Sequence, residues 1–198
     1  MHQSSAVVAE QIVADRLSAL LAGLAQSMDY PDLDWLTQEH WSWIKDLLDD
    51  LGWQAERQEL PDTIDDDFLT ALQVEYTRLF INAIPHVVAP PYGSVYLDSE
   101  GILYGPSAEK AKQFYRQQGF DLVGPNDIPD HLNHELRFVS LLLQDGRICE
   151  AEQFLRQCFH PWFGLFQDRV MGETKQPYYR VMVQLIKFFT KEEEEHDS

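Results

Sequence analysis

The chain has 198 residues, with 33 Asp and Glu against 15 Lys and Arg for a net charge of −18, and it is 44% apolar and 12% aromatic. That much apolar and aromatic side chain does not fit a disordered acidic chain, so a folded body carries the charge. A surface of this sign repels phosphate, which argues against nucleic acid and anionic membrane as direct ligands and points to a cationic partner, with solubility alone as the competing explanation.

The first 25 residues have no basic leader, and Glu10, Asp15 and Arg16 interrupt any apolar run, which argues against a secretory signal. Val13, Leu17, Leu20, Leu21 and Leu24 instead recur at helical spacing and predict a helix over 5–25. Residues 28–34 break it, with Pro31 marking a new start. A second helix is predicted over 35–51, with Trp43, Leu47, Leu48 and Leu51 on one face and Gly52 as its stop. A third begins after Asp62 and Thr63, where Asp65, Asp66 and Asp67 favour the positive end of the helix dipole, and runs through Phe68, Leu72, Tyr76, Leu79 and Phe80.

Between Ile84 and Pro106 the chain holds four prolines and three glycines, which no helix tolerates. This is a long aromatic-bearing connection, with a short hairpin predicted at 98–101. Connections of that length inside compact chains tend to carry function. A helix over 107–118 follows, stopped by Gly119, and residues 120–128 form a second connection. Asp127 is then expected as the N-cap of a helix with Pro129 in its first turn and Leu132, Leu136, Val139 and Leu143 as its buried stripe. Further helices are predicted over 148–159 and, after His160 and Pro161, over 162–170. Pro177 introduces the last, where Tyr178, Met182, Leu185 and Phe189 share a face.

These elements predict an all-α fold, a single helical bundle of roughly eight to ten helices. Its single domain spans residues 1–190, with N-terminal helices over 5–82, a connection over 83–106 and C-terminal helices over 107–190; residues 191–198 are an acidic tail expected to fray. The tail has four Glu and one Asp against one Lys, a net −4, which leaves −14 on the body. No fixed-period repeat indicates a solenoid. No apolar run approaches the roughly 18 residues of a membrane span, so the expected location is the cytoplasm. Cys149 and Cys158 fall in one predicted helix about 13 Å apart along its axis. A disulfide needs Cα atoms within about 7 Å, so they do not pair there.

The densest group of metal-ligand types is His131-Leu132-Asn133-His134-Glu135. A zinc-protease helix needs His at i and i+4 with Glu between, but the second His would fall on Phe138, and two ligands on one face do not make a site. No Walker-type or dinucleotide-binding glycine pattern occurs, nor a nucleophile elbow, and neither cysteine adjoins an activating group. The sequence therefore assigns no catalytic residue, no metal and no cofactor. An aromatic set beside the connections stands out instead: Tyr76, Leu79 and Phe80 at the end of the third helix, and Pro91-Tyr92-Gly93 in the long connection, where a groove lining is expected.

Tyr76-Thr77-Arg78-Leu79-Phe80 resembles the [WY]xxLF signature of the TorD/DmsD chaperones of molybdoenzyme maturation. The segment from Pro91 to Asp98 is similar to their P[WY]xSVYxD, and Asp127-Ile128-Pro129-Asp130-His131 to their EPxDH region, continued by Glu135-Leu136-Arg137-Phe138 as in ELxF. Asp127 stands where the family often has Glu, and Pro129 is shifted to lie directly before Asp-His. The resemblance implies an all-α cytoplasmic chaperone without catalytic activity. It would bind the twin-arginine signal peptide and apo-form of a reductase of the trimethylamine oxide or dimethyl sulfoxide type, withholding export until the molybdopterin cofactor is inserted. It further implies weak guanine-nucleotide binding as a property of certain members.

A twin-arginine peptide has paired guanidiniums followed by an apolar stretch, so its receptor needs carboxylates beside an apolar groove. Asp127 and Asp130, next to His131, are the candidates for the polar end, and Tyr76, Leu79, Phe80, Pro91 and Tyr92 for the apolar end. Asp127 has N-capping as an equal alternative, and His131 that of an ordinary helix-surface histidine. A helical adaptor for another basic amphipathic segment and a metal-dependent hydrolase built on His131 and His134 also stay open. So do a monomer and a domain-swapped homodimer.

Overall fold

The computed structural model describes residues 2–84, 86–98, 103–124 and 127–191. The expected acidic tail from residue 192 and the predicted hairpin after Asp98 lie outside them. The helices are α1 (His2–Ser27), α2 (Gln38–Asp50), α3 (Gln54–Glu59), α4 (Asp66–Tyr76), α5 (Ser94–Leu97), α6 (Pro106–Gln117), α7 (Leu132–Gln144), α8 (Ile148–Phe154), α9 (His160–Glu173) and α10 (Pro177–Thr190). Single π-helical turns extend α4 (Thr77–Ile81) and join α8 to α9 (Leu155–Phe159). Among the described residues no strand forms, and one isolated antiparallel bridge pairs Tyr92 with His131. The fold is all-α.

The boundaries follow local chemistry where a cap is present. The Thr37 hydroxyl accepts the His40 N–H, so α2 begins three residues later than periodicity predicts and buries Trp41, Ile44 and Leu48 while Trp43 stays half-exposed. Asp65 accepts the Phe68 N–H and starts α4. The short α3 escapes a reading of periodicity because it buries no side chain. His160 and Pro161 do not break the chain: the π-turn runs straight into α9. Pro161 has no N–H to offer the Gln157 carbonyl one turn back, and Lys110 Nζ takes that carbonyl at 2.6 Å.

The chain forms two compact units, each from separate stretches. One holds the described residues of Met1–Ala25, Pro91–Leu165 and Leu185–Ser198, the other Gln26–Pro90 and Phe166–Gln184. In the first, α1 lies on α7 through small side chains: the Ser18 hydroxyl donates to the Ser140 carbonyl at 2.8 Å and the Ser140 hydroxyl to that of Ser18 at 2.9 Å. This close approach turns Ala14, Ser18, Leu21 and Ala25 inward and leaves Val13, expected in the buried stripe, 65% exposed. The predicted α7 stripe of Leu132, Leu136, Val139 and Leu143 is buried, and Phe114, Tyr115, Phe138 and Phe154 close against one another with ring centroids 4.5–6.0 Å apart. Cys149 is exposed, Cys158 is buried, and both are free thiols.

The second unit packs Tyr30, Tyr76, Phe80, Phe166 and Tyr179 ring to ring. Its tyrosine hydroxyls donate to main-chain carbonyls, Tyr76 to Met28, Tyr178 to Ser27 and Tyr179 to Leu72, so these polar tips are satisfied inside the core. Glu75, 4% exposed, receives Arg78 at 2.9 Å through both carboxylate oxygens and also the Lys175 N–H at 2.5 Å. It ties the end of α4 to the turn between α9 and α10.

Candidate functional site

The long connection does not wander over the surface. Residues 91–97 form a strap laid across the approach to α7. The Leu132 N–H donates to the Pro91 carbonyl at 2.9 Å, the Gly93 N–H to the Asp130 carbonyl at 3.0 Å, and the Ser94 N–H to the Asp130 carboxylate. These bonds keep residue 131 extended behind a turn at 129–130, which overrides the expected start of the helix at Asp127 and Pro129. Asp127 is accordingly not the N-cap; its carboxylate accepts the Gly124 N–H at 2.9 Å. The cap is His131, whose Nδ1 accepts the Asn133 N–H at 3.1 Å. Burial, together with the charges of His134 and Arg137 and against that of Asp127, pushes the His131 ring down to about 3, so it is a neutral imidazole at physiological pH.

Beneath the strap the surroundings are dry. Asp130 is 1% exposed and Glu135 wholly buried. Glu135 Oε2 accepts the Trp162 indole N–H at 3.0 Å. The Trp162 ring stacks on Tyr96 at 5.8 Å, and it lies so close to Gly93 that a Cβ there would meet it at 3.0 Å. Tyr115 closes the floor by donating to the Pro129 carbonyl at 2.7 Å. Burial raises the pKa of both carboxyls above the ordinary range, that of Glu135 strongly. Asp98 adds to the rise at Asp130, and Asp130 to that at Glu135, while hydrogen bonds from Ser94 and Trp162 oppose it. Asp98 ends the strap and accepts the Ser107 N–H and hydroxyl, capping α6 in place of Gly105, which has no side chain to do so. A Cβ on Gly105 would collide with that carboxylate.

The expected site residues thus separate. Pro91, Tyr92, Asp127, Asp130 and His131 come together in the first unit, whereas Tyr76, Leu79 and Phe80 are buried in the core of the second. At the surface, Tyr92 meets His131 edge to face at 4.9 Å, His131 meets His134 at 5.5 Å, and His134 Nε2 is 4.0 Å from Asp127 Oδ1. The Asp127 side chain is 38% exposed. Val123, the neighbour of the Gly124 whose N–H this carboxylate accepts, is 99% exposed, an apolar side chain in water. Sequence reasoning passed over Val123, and over Glu135 and Trp162 as the support of the strap. Nothing local set Val123 apart from Leu122 and Ile128 in the same connection, and nothing local signalled the pairing of the others. Among the described residues no group of three or more His, Cys, Asp or Glu is placed to hold a metal ion, and no helix is long and apolar enough to cross a membrane.

A family model described as nitrate reductase delta subunit matches residues 46–168, which include all three motif segments. The chain is 34% identical over 118 residues to the Tat proofreading chaperone DmsD of Salmonella paratyphi A, a stretch covering 58% of this chain and 56% of the relative. It is 27% identical over 133 residues to the chaperone protein TorD of a Psychrobacter strain, covering 62% and 60%. The chain therefore matches a little over half the length of these relatives. Among solved structures, a proposed redox enzyme maturation protein from Archaeoglobus fulgidus superposes with a TM-score of 0.60 at 30% identity, covering 90% of this chain and 94% of that one.

Proposed function

This chain belongs to the nitrate reductase delta subunit family, that of the TorD/DmsD chaperones, and from that premise we propose that it is a cytoplasmic chaperone of a molybdenum-cofactor oxidoreductase. It binds the twin-arginine signal peptide and the apo-form of its client and holds back export while the cofactor is inserted. The reading gives the chain no chemical step and no cofactor of its own.

The observation that carries it is the surface around Asp127. A half-exposed carboxylate, the exposed Val123 and the Tyr92–His131 ring pair stand together on a chain of net charge −18. A carboxylate accepts a guanidinium through two hydrogen bonds, ring faces and edges take its apolar flanks, and Val123 adjoins the apolar stretch that follows the arginines. The buried members of the motifs act from behind: Asp130 and Pro91 hold the strap that presents Tyr92, and Tyr76, Leu79 and Phe80 fold the second unit.

Calorimetry with a synthetic twin-arginine peptide tests this. Asp127→Asn should weaken binding by about 1–3 kcal/mol, and added salt should weaken it further. A peptide with both arginines changed to glutamine that binds as well as the original would overturn the reading. Capture from cells of an unrelated basic helix in place of a reductase precursor would move the chain to the adaptor class.

A further inference from the structure

The buried carboxyls of Asp130 and Glu135 serve no surface contact, and both are linked to the strap. Asp130 receives the Ser94 N–H directly. Glu135 is linked through Trp162, whose indole N–H it accepts and whose ring abuts Gly93 and stacks on Tyr96. We propose that residues 91–97 form a proton-dependent latch: the strap stays seated while this pair of carboxyls bears at most one negative charge, and lifts when both ionise.

The reason is electrostatic. Among the described residues the donors to these carboxyls are neutral, the Ser94 N–H for Asp130 and the Trp162 indole N–H for Glu135, and Asp130 Oδ1 and Glu135 Oε1 meet no donor. Two charges in such surroundings repel each other without a counter-ion, and each loses its hydration. The titratable groups around the pair do not relieve this. Tyr92 on the strap, Tyr115 on α6 and Cys158 on the π-turn are all pushed upward, Cys158 to about 12, and so remain neutral, while the charge of Asp98 adds to the repulsion. His131, at the other end of the bridge to Tyr92, is neutral as well. Both carboxyls have folded-state values above their unfolded ones. The stability that protonation contributes is therefore complete below the ordinary carboxylate range and is lost as pH rises through the folded values. The way to rehydrate a second charge is to raise the strap that covers it.

Amide hydrogen exchange on the intact chain tests the latch, with rates converted to protection factors so that intrinsic exchange chemistry cancels. The protection of Gly93, Ser94 and Leu132 should fall as pH rises above the ordinary carboxylate range, by about tenfold per pH unit for each proton released on opening, and level off once pH passes the higher folded value, while that of the mid-helix Val183 amide in the other unit holds. Asp130→Asn and Glu135→Gln, which imitate the protonated groups, should each flatten that fall. Carboxyl ¹³C titration of the unaltered protein gives a readout that does not depend on the variants folding: one of the two resonances should remain in its protonated position at pH values where exposed carboxyls are fully ionised. Pair resonances that both titrate in the ordinary range, or strap protection that does not change with pH, would overturn the proposal.

Discussion

Gly93 and Glu75 show how much can rest on one residue. The Gly93 Cα faces the Trp162 indole, where a methyl group would lie 3.0 Å from ring atoms that are themselves held by Glu135 and Tyr96. Gly93→Ala must therefore shift the strap or the indole, and urea denaturation should report a loss of about 1–3 kcal/mol. An unchanged midpoint would mean that the indole moves freely. Glu75 presents the opposite electrostatic case to Asp130. Burial alone would raise its pKa, but the hydrogen bonds from Arg78, Lys175 and Thr174 together with the Arg78 charge prevail and hold it below the ordinary value. Its contribution to stability is therefore present above the ordinary carboxylate value and is lost as pH falls from there through the lower folded value. At neutral pH, Glu75→Gln should cost about 1.5–3 kcal/mol. As pH falls below the ordinary carboxylate range the parent should lose more stability than the variant, so that their urea midpoints converge on acidification. The motif residue beside it, Tyr76, was legible as a helix residue with an aromatic face. That its ring joins four others in a core could not be read from the run Tyr76–Phe80, because the neighbours come from residues 30, 166 and 179.

Two elements depend on partners far along the chain. The helix α6 begins with Pro106 after a glycine that cannot cap it, and Asp98 supplies the cap from eight residues before its first residue. Asp98→Ala should then destabilise the protein by about 1 kcal/mol, read by thermal or urea denaturation, whereas Asp98→Asn should retain most of that. The junction of α8 and α9 is held by Lys110, which takes the carbonyl that Pro161 leaves free. Lys110→Met should cost about 1 kcal/mol in the parent and less in a Pro161→Ala background, where a restored N–H can meet the same carbonyl. Equal costs in the two backgrounds would show that the proline does not create the need for the lysine. These details explain why sequence periodicity located α6 to within a residue or two yet split the α8–α9 run at His160. Helical spacing reports which residues face inward, while the fate of a single freed carbonyl is settled by a side chain from another helix.

For the whole molecule the net charge of −18 is the dominant fact. Self-repulsion of the folded body should be relieved by salt, so the midpoint of thermal unfolding should rise by about 2–4 °C between roughly 10 and 150 mM sodium chloride. A falling midpoint would mean that attractive ion pairs such as Arg180–Glu59 and Lys45–Asp62 outweigh the repulsion. Sequence alone determined the helical class, the principal helices and the buried stripe of α7, because apolar spacing and proline and glycine placement are properties of neighbouring residues. It also carried the family likeness through the three motif segments. The tertiary structure alone decided that Asp130 is a buried brace and Asp127 an accessible carboxylate, that His131 caps α7, and that the strap rests on Trp162. Each of these depends on which groups lose water and which distant donor replaces it, and that is set only when the chain has closed on itself.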